Sequence, residues 1–294
     1  MSVNDPWGLV ARPPTCYTFK WRNGPGRGCD LARFACDAPY GGVGRRTVHN
    51  SLAECAGKVL ARSGNGDLVF VGRSLDSMFD LLSGALPDSG QALSRLPISL
   101  YGSGELIPDD VRHARELAAS IGITPAALAR RDRPVTFVDV VHVGSTFTKL
   151  FALLDDWITE ERETWPAIRR KLRFVGVTTR EKTSPNTWRW QQQYPEWTRR
   201  LPASAVVGVS LERAVWSYFG DHQTKLTRGY RLVQWRKYSG EIKRDERTRR
   251  ALAEAVHLVE LGRTKEVRRM IARAMDGEPA LSEPWLRMLR SRLS

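Results

Sequence analysis

Cysteine is scarce, and its four residues (Cys16, Cys29, Cys36 and Cys55) all fall in the first fifth of the 294-residue chain without a CxxC pair. A disulfide-stapled scaffold is therefore excluded, and even with His49 nearby the spacing fits no zinc pattern, so free buried thiols are expected. Long apolar runs are missing as well: no stretch approaches the length of a membrane span. The opening Met1-Ser-Val-Asn-Asp-Pro-Trp7 has neither the basic nor the apolar part of a secretory leader. A reducing cytoplasm is the expected compartment, with no membrane partner. Acids are also short, 32 against 46 Lys and Arg, giving a formal net charge of +14 and a pI near 10.1. Such a chain attracts polyanions, from nucleotides to nucleic acid.

The surplus is concentrated in residues 228–250, where nine Lys or Arg face three acids and interleave Tyr230, Trp235 and Tyr238. Basic and aromatic residues together can bind single-stranded nucleic acid or a phosphorylated substrate with an aromatic base. No motif of a nucleic-acid module accompanies them, so nucleic acid stays open as a partner without being favoured.

Chain order argues for an α/β fold. Short apolar strands are expected at Asp67 to Val71, Leu96 to Tyr101, Val135 to Val138, Leu172 to Thr178 and Ala205 to Ser210. Helical patterns lie between them at Leu75 to Leu86, Pro108 to Ile121 and 147–164. This alternation predicts a mostly parallel sheet with helices on both faces. From Asp245 onward strand patterns stop. Three helices are expected, Arg247 to Leu261, Thr264 to Met275 and Ser282 to Leu293, with Gly262 and Gly277 as stops and Pro284 at an early position. The chain therefore reads as an α/β core over 1–244 with a helical extension over 245–294. A Pro- and Gly-rich opening over 1–50 wraps the core, and a region over about 179–240 holds five of the ten tryptophans, Trp188, Trp190, Trp197, Trp216 and Trp235.

The most informative stretch is Val135-Thr-Phe-Val-Asp-Val-Val-His-Val-Gly-Ser-Thr146. Val135 to Val138 suit a central strand, and Asp139 stands where that strand ends, the edge at which ligands gather in parallel sheets. Gly144, Ser145 and Thr146 then form a small-residue turn into a helix. Glycine admits close backbone approach, and the hydroxyls, the first-turn N–H groups and the helix dipole all favour an anion. Upstream, Asp67-Leu-Val-Phe-Val-Gly-Arg-Ser74 is a second strand ending in a small basic turn, whose Arg73 fork suits a phosphate.

Residues 135–146 resemble the phosphoribosyl-pyrophosphate signature of type I phosphoribosyltransferases. Asp139 takes the second of the family's two acids and Val138 replaces the first. Val140 and Val141 are the apolar pair, and His142, Val143, Gly144, Ser145 and Thr146 are the loop around the 5'-phosphate. The resemblance implies a type I phosphoribosyltransferase-like core with a hood that stacks on a planar, nucleobase-like acceptor. It further implies transfer of the 5-phosphoribosyl group with release of pyrophosphate, aided by Mg2+ without direct side-chain ligation.

On this resemblance Asp139 holds a ribose hydroxyl and stands near the cationic anomeric carbon, while Arg73 and Ser74 bind pyrophosphate. Val143 replaces a usual hydroxyl residue. His142 has two open roles, a base with a pKa suited to neutral pH or a backbone contact only. Residues 102–133 occupy the place of a mobile catalytic loop, with Arg112, His113 and Arg115 as candidate contacts. Val138 cannot bond a ribose hydroxyl, which keeps two alternatives open: a non-catalytic regulator of the same fold, and an enzyme using another phosphorylated ribose donor. Homodimerisation also stays open.

Overall fold

The computed structural model describes residues 44–86, 90–100, 104, 106–183, 189–223, 225 and 245–294. It is an α/β fold built on five parallel strands: β1 (Asp67–Val71), β2 (Leu93–Leu96), β3 (Val135–Val140), β4 (Leu172–Thr179) and β5 (Val206–Leu211). The sheet order is β2-β1-β3-β4-β5. Residues on both sides of these strands are buried: Leu68, Phe70, Val138, Val175, Val177 and Val209 pack on one face, and Val69, Val71, Val135, Phe137 and Phe174 on the other. Burial on two faces is why these segments read as near-continuous apolar runs.

The first face is covered by α1 (Arg45–Arg62) and α2 (Asp76–Ala85). The second is covered by α3 (Pro108–Ser120), α4 (Pro125–Arg130), α5 (Ser145–Glu160) and α6 (Trp165–Ile168), with the short α7 (Trp190–Gln193) and α8 (Pro195–Thr198). A short α9 (Arg213–Ser217) and a π-helical turn (Tyr218–His222) follow β5. The last 50 residues form α10 (Glu246–Arg263), α11 (Lys265–Arg273) and α12 (Pro284–Leu293). Their Leu258, Val267, Ile271, Met275, Leu286 and Leu289 join α1 and α2 in one core, as an outer layer on the first face. Among the described residues no helix is long and apolar enough to cross a membrane.

Several boundaries differ from the sequence reading, and α1 begins at Arg45, inside the opening 1–50 expected to be irregular, of which 1–43 lie outside the described residues. The second strand runs over Leu93–Leu96 rather than from Leu96 to Tyr101, because Pro97 has no N–H to continue the ladder; Tyr101 lies outside the described residues. The helix after β3 begins at Ser145, two residues before the expected start at 147, and ends at Glu160. Gly262 does not stop α10, which continues to Arg263, and Thr264 instead caps α11 by accepting the Val267 N–H at 3.3 Å. Gly262 is small because it lies on α2: a Cβ there would meet the Leu81 carbonyl, and one on Gly84 would meet the Val259 carbonyl. At the free edge of the sheet, Arg62 of α1 donates to the Gly208 carbonyl of β5 and pairs with Glu278 at 2.7 Å, which covers that edge strand.

Candidate functional site

Strand order determines where the ligand end lies. From β1 the chain goes to β2 on one side, and the next strand, β3, lies on the other side of β1. Between β1 and β3 the connections diverge, and the carboxyl ends of strands at such a point are where open parallel sheets place a ligand crevice. Both turns singled out from the sequence sit here. Gly72, at φ 69°, ends β1 and leads into Arg73 and Ser74. Val141, His142 and Val143 leave β3, and Gly144, at φ 88°, starts α5.

The turn after β3 is tight, and Trp190 packs where a side chain on Gly144 would stand. Gly144 is the N-cap in the left-handed region, and having no side chain it cannot cap the helix; no acid stands in the first turn either. The Gly144 carbonyl accepts from the Thr148 N–H at 3.0 Å and from the Thr148 hydroxyl at 3.1 Å. The N–H groups of Ser145 and Thr146 lead the helix at its positive end. His142 and Val143 are exposed, and the His142 ring lies 6.4 Å from that of Trp216. Trp216 is in turn fixed by donating to the Val177 carbonyl at 3.0 Å.

Asp139 is only 6% exposed. By strand alternation it shares a face with Val135, Phe137 and Val141. Its Oδ1 accepts from the Val140 N–H at 2.7 Å. Burial pushes its carboxyl from an ordinary 3.8 up to about 8, with the Val140 N–H and the Lys225 ammonium pulling the other way. A carboxyl held this far from its normal value at the carboxyl end of a parallel strand marks a functional candidate.

In register, Asp139 lies beside Gly176 of β4, which lies beside Gly208 of β5. Losing two side chains makes room for Trp190: its indole carbons stand 2.7 and 2.8 Å from where a Gly176 Cβ would be, and 2.9 Å from that of Gly144. Trp190 and Trp197 belong to the sheet's core with Phe147, Phe151 and Phe174, their rings 5.0 to 5.6 Å apart where they meet. Trp190 Nε1 and Thr178 Oγ1 are buried without a hydrogen-bond partner among the described residues. Trp188 and Trp235 lie outside the described residues, as do Tyr230, Tyr238 and most of the basic stretch 228–250.

Other sequence candidates are placed elsewhere. Arg115 makes two hydrogen bonds to Glu160, one of 2.9 Å, and its guanidinium lies 5.5 Å from the Trp157 ring centre. Glu160 closes α5, whereas the turn 142–144 opens it, and fifteen residues of helix separate them by about 22 Å. Arg112 and His113 are exposed and pair with Asp109 or Glu116 on their own helix. Arg112 and His113 therefore form a solvated helix face, and Arg115 ties α3 to α5. A groove of about 600 Å³ is lined by Pro108, Arg115, Trp157 and Glu160. It lies at this far end and has no part in the crevice. Cys55 is fully buried, which pushes its thiol up to about 12 and leaves it unreactive; Cys16, Cys29 and Cys36 lie outside the described residues.

One component had no sequence signal. Lys225 donates to the Ser74 carbonyl at 3.1 Å, in the turn after β1. No protein-family model, curated protein or solved structure matches this chain.

Proposed function

We propose that the protein is a phosphoribosyltransferase that moves the 5-phosphoribosyl group from phosphoribosyl pyrophosphate to a planar heteroaromatic acceptor. The observation that carries this reading is the pairing, across one topological switch point, of two anion turns with a buried carboxyl between them. Gly144, Ser145 and Thr146 would take the 5'-phosphate on the first turn of α5, where the helix end is favourable to an anion. Gly72, Arg73 and Ser74 would take the pyrophosphate. Asp139 would accept from a ribose hydroxyl and, once ionised, stabilise positive charge growing at the anomeric carbon.

Mg2+ suits this donor set, one carboxyl between two anion turns, because it keeps much of its water and rides on substrate phosphates rather than in an all-protein cage. Bound with the diphosphate it would neutralise the leaving group. Asp139 would act on it through bound water rather than by direct ligation. His142 is exposed just past the end of β3, where an acceptor arriving from solvent would meet it.

A second reading has its own observation. Val138, which stands where the family has its first acid, is fully buried in the core on the α1 and α2 face. It offers no contact to a ribose, so a protein that binds the donor without turning it over is the alternative. Calorimetry with phosphoribosyl pyrophosphate and Mg2+, run beside Asp139→Asn, tests the site. Mg2+-dependent binding that weakens at least tenfold in the variant is expected. A folded wild-type protein that does not bind would sink both readings, and binding without pyrophosphate release across a panel of nucleobases would leave the second.

A further inference from the structure

The chain that leaves β5 folds back beneath the turn after β1. Past the π-helical turn, a backbone form that concentrates at functional sites, Lys225 extends its ammonium to three acceptors. It donates to the Ser74 carbonyl at 3.1 Å, to the Phe219 carbonyl at 2.9 Å and to Gln223 Oε1. An ammonium has three protons, so its donors are saturated. Gln223 continues the network: its amide donates to Ser77 Oγ and, at 3.3 Å, to Glu254 Oε1, which also accepts from the Tyr218 hydroxyl at 2.7 Å. Lys225 thus ties to the turn 72–75 and Gln223 to the first turn of α2, with Glu254 of α10 holding Gln223 in place. Asp76, Asp80, Arg95, Gln223, Lys225 and Glu254 line the small cavity left between them.

This arrangement is expensive for a merely structural tie. Burial pushes the Lys225 ammonium down to about 8, partly opposed by Asp76 and Glu254, and the neighbouring Arg73 guanidinium pushes it further in the same direction. A neutral donor could hold the Ser74 carbonyl without placing a second cation beside Arg73. Asp76, Glu254 and Asp80 offset part of that charge, and an anion at the turn would offset more. The peptide plane adds a direction: with the Ser74 carbonyl drawn toward Lys225, the trans peptide turns the Leu75 N–H to the opposite side.

We propose that Lys225 is a positioning residue for a diphosphate: it fixes the turn 72–75 from below so that Arg73 and the Leu75 N–H meet the anion, without touching the anion itself. This deepens the phosphoribosyl reading and rests on it for the identity of the anion. The test combines hydrogen–deuterium exchange with titrations of inorganic pyrophosphate plus Mg2+ and of ribose 5-phosphate, on wild type, Lys225→Met and Lys225→Arg. In Lys225→Met, exchange across 72–76 should rise roughly tenfold, the scale of one lost charge-assisted hydrogen bond, while β3 and β4 are unchanged. Pyrophosphate affinity should fall about tenfold, ribose 5-phosphate affinity should hold, and Lys225→Arg should recover part of the loss. Unchanged exchange at 72–76, faster exchange throughout the sheet, or equal losses for both anions would overturn the positioning role. Wild type that binds ribose 5-phosphate but not pyrophosphate overturns this proposal and spares the phosphoribosyl reading; wild type that binds neither overturns both.

Discussion

Asp139 holds its proton because almost no water reaches it, and that gives the unliganded protein a definite pH dependence. Below about pH 4 its carboxyl is protonated in both folded and unfolded chains. Between about 4 and 8 the unfolded chain ionises while the folded one keeps its proton, so folding stability drops as pH rises through this window and levels off above it. The formal slope is about 1.4 kcal/mol per pH unit, and relaxation around a buried charge reduces the total to a few kcal/mol. Asn cannot ionise and its amide oxygen can still accept the Val140 N–H. Asp139→Asn should therefore melt higher than wild type, by a margin that grows from pH 5 to pH 8, in scanning fluorimetry of the unliganded proteins; a margin constant with pH would show that Asp139 is already ionised. Lys225 does not confuse the result, because its folded value near 8 against 10.5 changes stability only above pH 8, where it raises it. Residue by residue, Asp139 and the turn 142–146 were legible because strand, acid and small-residue turn are contiguous. Lys225 was not: its partners Ser74 and Phe219 and its neighbour Glu254 are scattered over 180 residues, and one lysine among many basic residues carries no local signal.

At the scale of elements, the inner strands were readable because burial on both faces writes continuous apolar runs, whereas β2 was displaced in the reading because Leu93-Ser-Arg-Leu96 is an edge strand of mixed polarity. Its Arg95 folds over the Phe79 ring at 4.0 Å and pairs with Asp80 at 2.7 Å, contacts that no strand pattern reveals. Gly262 shows how a local rule fails under packing. A glycine near a helix end suggests a stop, yet here it is the contact point of α10 on α2, with the Leu81 carbonyl and the Ala85 N–H facing it and Gly84 doing the same in reverse. Helix propensity alone makes Gly262→Ala a gain of about 1 kcal/mol. The backbone-on-backbone crossing makes it a loss, since the added methyl forces two packed helices apart at a cost of about 1 to 3 kcal/mol or more. Urea denaturation should show a lower midpoint for Gly262→Ala at unchanged slope; a higher midpoint would mean that the helices are not in such close contact.

The whole molecule raises the question of what the last 50 residues contribute. Their 3.6-residue apolar stripes were plain in the sequence, but a stripe says that a helix packs without saying on what, and the absence of strands made the segment read as an extension. In the fold α10 lies along α2 and α11 along α1, and Leu252, Leu258, Ile271, Met275 and Leu286 are 0 to 4% exposed. The same layer brings Glu254 to the Gln223 and Tyr218 network under the candidate site. Removing it would bare the outer sides of α1 and α2, where Gly57 now meets Ile271, Gly84 meets Val259 and Leu81 meets Gly262. A contiguous apolar surface of that kind is not sustained by a compact monomer. A chain ending at residue 244 should therefore keep much of its far-UV helical signal, lose near-UV dichroism, bind a hydrophobic dye and unfold without a cooperative transition. If it melts cooperatively with native near-UV dichroism instead, the sheet and its inner helices form a self-sufficient core. The helical layer would then be an addition whose removal leaves the fold standing, and the tie from Glu254 to the turn after β1 would be the part of it to which function is most sensitive.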